Sequence, residues 1–94
     1  LIMHRIEKNI LHNAKKNKER RELKNKRIKS AEDQGMSVYL ACACAEGFCE
    51  GANATEEQIL QAWQYLHDTG IGYKLQGWYG RTLTNLIQEQ IILE

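Results

Sequence analysis

The sequence predicts an all-α fold: a small three-helix domain, made of a short helix plus a helical hairpin, behind a basic N-terminal extension that is helical or disordered. Three observations predict it. Apolar residues recur at helical spacing, and no alternating polar–apolar run is long enough for a strand. The 94 residues include no proline, which suits helices and short connections. Charge divides sharply along the chain. Residues 1–30 hold eleven Lys and Arg against three Glu, a net +8, whereas residues 31–94 hold Lys74 and Arg81 against nine acids, a net −7. Such asymmetry marks a basic segment joined to an acidic domain. The boundary falls between an extension at 1–35 and a domain at 36–94.

In the extension, Ile2, Ile6 and Ile10 recur at four-residue spacing with Leu11 beside the last, so a helix can start here. The pattern then fails, because between Asn13 and Arg27 only Ala14 and Leu23 are apolar. Lys15–Glu19 and Glu22–Lys26 fall at i,i+4 and add about a few tenths of a kcal/mol each. With no wide apolar face to dock, residues 1–30 are expected to be solvated and to make few long-range contacts.

The domain opens with a short apolar helix from about Ser37 to Glu46, carrying Val38, Leu40, Ala41, Cys44 and Ala45, with Gly47 placed to end it. Residues 50–54 read as a loop. Thr55-Glu56-Glu57-Gln58 fits a capping box, with two acids where the helix dipole favours them. Ile59, Ala62, Trp63 and Leu66 form its inward stripe, and Gly70 is the natural stop. Ile71 to Gln76 allows one short turn. Gly77-Trp78-Tyr79-Gly80 reads as a bend with two glycines, followed by a last helix from about Tyr79 or Arg81 to Ile91 with Leu83, Leu86, Ile87 and Ile91 on one face. Trp63 is expected in the core and Trp78 at least partly in solvent. A 59-residue unit from Met36 to Glu94 buries only about 60% of its unfolded surface, so a homo-oligomer is one candidate assembly.

The run Ala62-Trp63-Gln64-Tyr65-Leu66-His67-Asp68-Thr69-Gly70, with Leu75-Gln76-Gly77-Trp78-Tyr79-Gly80-Arg81-Thr82 and Leu86-Ile87 after it, resembles a family of short uncharacterised proteins of tailed bacteriophages and prophages. Its pattern is LxDTG, LQGxxGRT and LI over two helices, often after a short leading helix. The match covers about Val38 to Ile91 and is most specific from Leu75 to Thr82. This chain departs from the family at Gly72-Tyr73, where an aromatic pair is common, and in continuing past Leu86-Ile87. The resemblance implies a phage origin, an all-helical fold and the cytoplasm of an infected bacterial host. It implies no activity. Family members typically lack a long basic leader. Glu32-Asp33 can be encoded by a purine run of ribosome-binding type before the Met36 codon, and Leu1 stands where an initiator Met would. Met36 is therefore an alternative expected start, with residues 1–35 an upstream translated region.

Several chemistries are weakly founded. No run approaches the roughly 18–20 apolar residues of a membrane span, and the first residues lack the apolar core of a secretory signal, so no membrane partner is expected. Three cysteines cannot all pair within one chain, and reduced thiols are the simpler reading. Cys42-x-Cys44 and Cys49 have no common zinc spacing, with His67 the sole fourth ligand in the domain. On one helix Cys42 and Cys44 would point about 200° apart. No metal and no cofactor are expected. Cys44 or Cys49 with His67 and Asp68 would make a nucleophile, base and orienter on paper. His67 near a helix end is more simply a dipole-favoured cation, and no enzyme is expected. Gly77-x-x-Gly80 is too little for a nucleotide motif.

Two binding surfaces remain. Gln76, Trp78, Tyr79, Arg81 and Thr82 combine two rings and an arginine at a helix start. Structurally, one ring plugs the core and Arg81 caps a carbonyl or pairs with Asp68. Functionally, the other ring and Arg81 anchor a host or phage protein, since Trp, Tyr and Arg dominate binding hot spots. The alternative is nucleic acid bound without sequence preference through residues 1–30, by Lys15, Lys16, Lys18, Arg20, Arg21, Lys24, Lys26 and Arg27. Two helices around a Gly-containing bend also suit a helix-turn-helix, although a −7 domain repels a duplex.

Overall fold

The computed structural model describes the backbone of residues 2–94 and the side chains of residues 18–94. Helix α1 runs Ile2–Asp33, α2 Val38–Glu46, α3 Glu56–Thr69 and α4 Gly77–Gln88, with single 3₁₀ turns at Cys49–Gly51 and Ile71–Tyr73. Among the described residues there is no strand. The side chains of Ile2, Ile6, Ile10, Leu11, Lys15 and Lys16, which the sequence analysis singled out, lie outside the described residues.

The connections follow the chemistry of caps. Gly35 takes φ 99°, and the Met36 N–H closes back on the Ala31 carbonyl at 2.9 Å while the Gly35 N–H reaches that of Glu32 at 3.0 Å. This pair of bonds satisfies orphan carbonyls at the end of α1. Ser37 caps α2 by accepting from the Leu40 N–H at 3.2 Å, and Gly47 ends the helix in the left-handed region. At α3 the capping box forms as expected: Gln58 N–H to Thr55 Oγ1 at 3.2 Å, and Thr55 N–H to Gln58 Oε1 at 2.8 Å. Gly70 ends α3, also in the left-handed region.

Small residues let α2 lie close to α3. Ala41 and Cys44 of α2 are buried in one cluster with Ala62, Trp63, Tyr65 and Leu66 of α3. Tyr79 and Leu83 of α4, with Ile92 beyond it, close the cluster. A Cβ on Gly51 would meet the Ala43 carbonyl, so the glycine permits the 3₁₀ turn to sit on the α2 backbone.

Two expectations are corrected here. Residues 77–80 are not a bend: α4 already begins at Gly77, and neither Gly77 nor Gly80 takes a positive φ. At the far end α4 stops at Gln88. Gln90 then turns through φ 59°, which leaves Ile91 exposed and buries Ile92 in its place. The second correction concerns the basic segment. On α1, Lys24, Arg27, Ile28 and Ala31 are half-buried at i, i+3, i+4 and i+7, the stripe of a docked helix. Ile28 and Ala31 rest against the core cluster. The face went unread because two of its four positions are basic.

Candidate functional site

The start of α4 carries the residues that the sequence marks for partner binding. Gln76 precedes the helix, is exposed and makes no side-chain capping bond. Trp78 is 43% exposed. Its ring stands edge-on to Trp63 at 5.7 Å and to Tyr79 at 5.0 Å between centroids, an arrangement aromatic quadrupoles favour. One edge is thus held by the core while the rest faces water.

Tyr79 points the other way. It is 4% exposed and donates its hydroxyl to Glu46 Oε2 at 2.5 Å, tying α4 to the end of α2. Burial, then the bond to Glu46, pushes its pKa up. Tyr79 is therefore core and not contact surface, because only one of two neighbouring rings fits inside. Thr82 is half-buried, and its hydroxyl is spent on the Trp78 carbonyl at 2.8 Å. Arg81 is exposed and does not pair with Asp68. Its Nη1 lies back over Gly77, 3.3 Å from where a Cβ there would stand. Gly77 thus begins the helix rather than making a turn. Trp78, Arg81 and Asn85, at i, i+3 and i+7, share the exposed side of α4 opposite Leu83. Beside them Tyr73, Gly77, Gly80, Thr84 and Gln88 line a shallow depression of about 470 Å³.

Asp68 belongs to a second cluster that the sequence did not reveal. Arg27 grips it with two bonds, Nε to Oδ2 at 2.9 Å and Nη2 to Oδ1 at 2.8 Å, and its side chain is only 1% exposed. Gln64 donates to the same Oδ1 at 3.1 Å. It also pairs with the Leu93 backbone, donating to the carbonyl at 2.8 Å and accepting from the N–H at 2.7 Å. One amide and one guanidinium thus join α1, α3 and the C-terminal residues. Such forked, charge-assisted pairs are stronger and more directional than neutral bonds.

His67, beside that clasp, is buried. Its Nδ1 meets the Tyr73 hydroxyl at 2.6 Å, and its Nε2 is buried with no partner. Burial lowers its pKa, as do Lys24 and Arg27, against an upward pull from Asp68 and Glu94. The expected dipole-favoured cation is thus corrected to a neutral core histidine.

For the remaining candidates the geometry separates what the sequence set side by side. Cys42 is half-buried, Cys44 buried and Cys49 exposed, all as free thiols. His67 and Asp68 are bonded to Tyr73 and to Arg27 with Gln64 respectively, not to each other. Among the described residues, no three of His, Cys, Asp and Glu stand together in a way that would hold a metal. Of the nucleic-acid candidates, Lys18, Arg20, Arg21 and Lys26 are exposed, whereas Arg27 is committed to Asp68 and Lys24 is half-buried. No helix among the described residues is long and apolar enough to cross a membrane.

No family model, curated protein or solved structure matches the chain.

Proposed function

We propose that the chain is a small accessory protein of a tailed bacteriophage, acting in the cytoplasm of the infected bacterial host as a non-enzymatic, protein-binding module. The observation that carries this reading is the half-exposed Trp78, steadied edge-on by Trp63 and standing on the same side of α4 as Arg81. Hot spots are rich in Trp and Arg. A ring already fixed on one edge loses little further freedom when a partner covers it. The partner is a host or phage protein with an apolar hollow for the indole and a carboxylate for Arg81. The test is affinity capture from host lysate followed by quantitative mass spectrometry. A partner retained by wild type and lost by both Trp78→Ala and Arg81→Ala, with each variant still folded and melting cooperatively, supports the reading. A partner retained by both sinks it.

A second reading is favoured by one feature, the exposed Lys18, Arg20, Arg21 and Lys26 on α1. These residues suit contact with nucleic-acid phosphates, which positions a protein without reading sequence. Such binding falls steeply with salt. Reversing Arg20 and Arg21 to Glu abolishes it, whereas Trp78→Ala leaves it unchanged. Salt-insensitive, sequence-selective binding that survives the reversal excludes this route.

A further inference from the structure

His67 stands where α3, which carries it, meets the turn at Tyr73 and the docked part of α1. It is 8% exposed, and its two nitrogens are placed unequally. Nδ1 lies 2.6 Å from the Tyr73 hydroxyl, a group that donates to a neutral ring or accepts from a protonated one. Nε2 is buried and has no hydrogen-bond partner among the described residues. The charges facing the ring are Lys24 and Arg27 of α1, Asp68 of α3 and Glu94 of the C-terminal residues. Both charges that α1 brings are cations. We propose that His67 is a pH-sensitive latch between α1 and α3: the neutral ring favours α1 docked, and the imidazolium favours α1 lifted off the core with α2, α3 and α4 still folded together.

Protonation is most costly while α1 is docked. An imidazolium carries a proton on both nitrogens, so Nε2–H becomes a buried, charged donor without an acceptor, close to two cations. Lifting α1 removes both cations and leaves Asp68 and Glu94 behind. The imidazolium and Arg27 are therefore rivals for the same acids. Burial first, then Lys24, holds the docked ring below the ordinary 6.5, with Arg27 adding to them and Asp68 and Glu94 pulling the other way. A group depressed when docked binds protons more readily when released, so docking is fullest above about pH 6.5 and weakens as pH falls below it. The opening is local because the buried cluster is drawn from α2, α3, α4 and Ile92. Ile28 and Ala31 of α1 rest against it only half-buried. Release adds Lys24 and Arg27 to the exposed Lys18, Arg20, Arg21 and Lys26 of the same helix.

The test is hydrogen exchange of the full chain, resolved by segment and corrected for the intrinsic effect of pH on exchange. The amides from Lys24 to Ala31 are expected to open more readily than those from Ala62 to Leu66 at every pH, as a sub-global unit does. Their opening is expected to grow roughly threefold to tenfold between about pH 7.5 and about pH 5.5, and His67→Gln is expected to abolish that growth. Opening of α1 that ignores pH, that coincides with opening of the core, or that responds equally in His67→Gln overturns the proposal. Linkage also runs in reverse. Ile28→Asp loosens α1 without removing any charge that faces the ring, so the ring-nitrogen NMR shifts of His67 are expected to titrate at higher pH in that variant than in wild type. An unchanged titration overturns the proposal even where His67→Gln fails to fold.

Discussion

His67 shows how one buried side chain acquires a pH dependence. Its ring is in the core with one nitrogen unpartnered. Burial and the nearby Lys24 disfavour the imidazolium, so its folded pKa lies below the ordinary value of 6.5. A group depressed in the folded state binds protons more readily when unfolded. Stability contributed by neutral His67 is therefore complete above about pH 6.5 and is lost as pH falls below it. Thermal melts between pH 8 and pH 5 are expected to show this decline, and His67→Gln is expected to flatten it. An identical slope in the variant would assign the decline to other groups.

The two tryptophans divide labour at the same scale. Trp63 is 5% exposed and touches both Trp78 and Tyr79. Trp63→Ala is expected to cost about 3–5 kcal/mol, enough to unfold so small a domain. Trp78→Ala removes a half-solvated ring and one edge-on contact, for which about 1 kcal/mol is expected. Urea unfolding of the two variants separates them. Equal losses would mean that Trp78 is held by the core as firmly as Trp63.

At the scale of elements, caps were the most legible part of the sequence. Thr55, Gln58, Gly47 and Gly70 announced the bounds of α2 and α3, because each satisfies backbone groups that only a helix end leaves free. Glycine misled where it performed another task. Gly77 and Gly80 have the composition of a turn, yet they make the first turn of α4, where Gly77 leaves room for Arg81. Arg81 is exposed and its guanidinium can swing aside, so Gly77→Ala is expected to stabilise the chain, by about 0.5 kcal/mol, through helix propensity. A bend requiring glycine would instead be damaged, and denaturant titration distinguishes the two by sign. The end of α4 was misjudged for a different reason. Periodic apolar residues continue to Ile91, but Gln90 in the left-handed region shifts the buried position to Ile92. Periodicity does not register a single reversed residue.

Of the partner surface proposed from sequence, Trp78, Arg81 and Gln76 do stand outward, while Tyr79 and the Thr82 hydroxyl are spent internally. Trp78, off the helical stripe of Trp63, was expected partly in solvent and is so, but spacing alone left Tyr79 open between core and surface. That choice is made by Glu46, on a different helix, which offers an acceptor to one hydroxyl.

At the scale of the whole molecule, the division of charge persuades a reader of the sequence that two unlike pieces are joined end to end. The structure ties them through the Arg27–Asp68 pair and the packing of Ile28 and Ala31 on the core. α1 has 32 residues, about 48 Å at 1.5 Å per residue, and the molecule measures 60 × 27 × 21 Å. The clasp at Arg27 thus docks only the C-terminal part of the helix on α3. This docking sets the direction of the basic helix and leaves the exposed side of α4 unencumbered. It was hidden from sequence because the contact is ionic: Arg27 and Asp68 lie 41 residues apart, and charges carry no periodic signature.

The docking of α1 on α3 is therefore the claim to measure first, by a double-mutant cycle on Arg27 and Asp68 read in urea unfolding of the full chain. Arg27→Ala leaves a carboxylate that is almost wholly out of solvent with Gln64 as its remaining side-chain donor. A loss of about 2–4 kcal/mol is expected from the stranded charge. Asp68→Asn retains the shape, loses the ionic partner and should cost about 1–2 kcal/mol. Combined, the two changes should cost less than their sum by about 1 kcal/mol or more, the mark of residues in direct contact. Strict additivity, with Arg27→Ala indistinguishable from wild type, would mean that α1 does not dock through this pair.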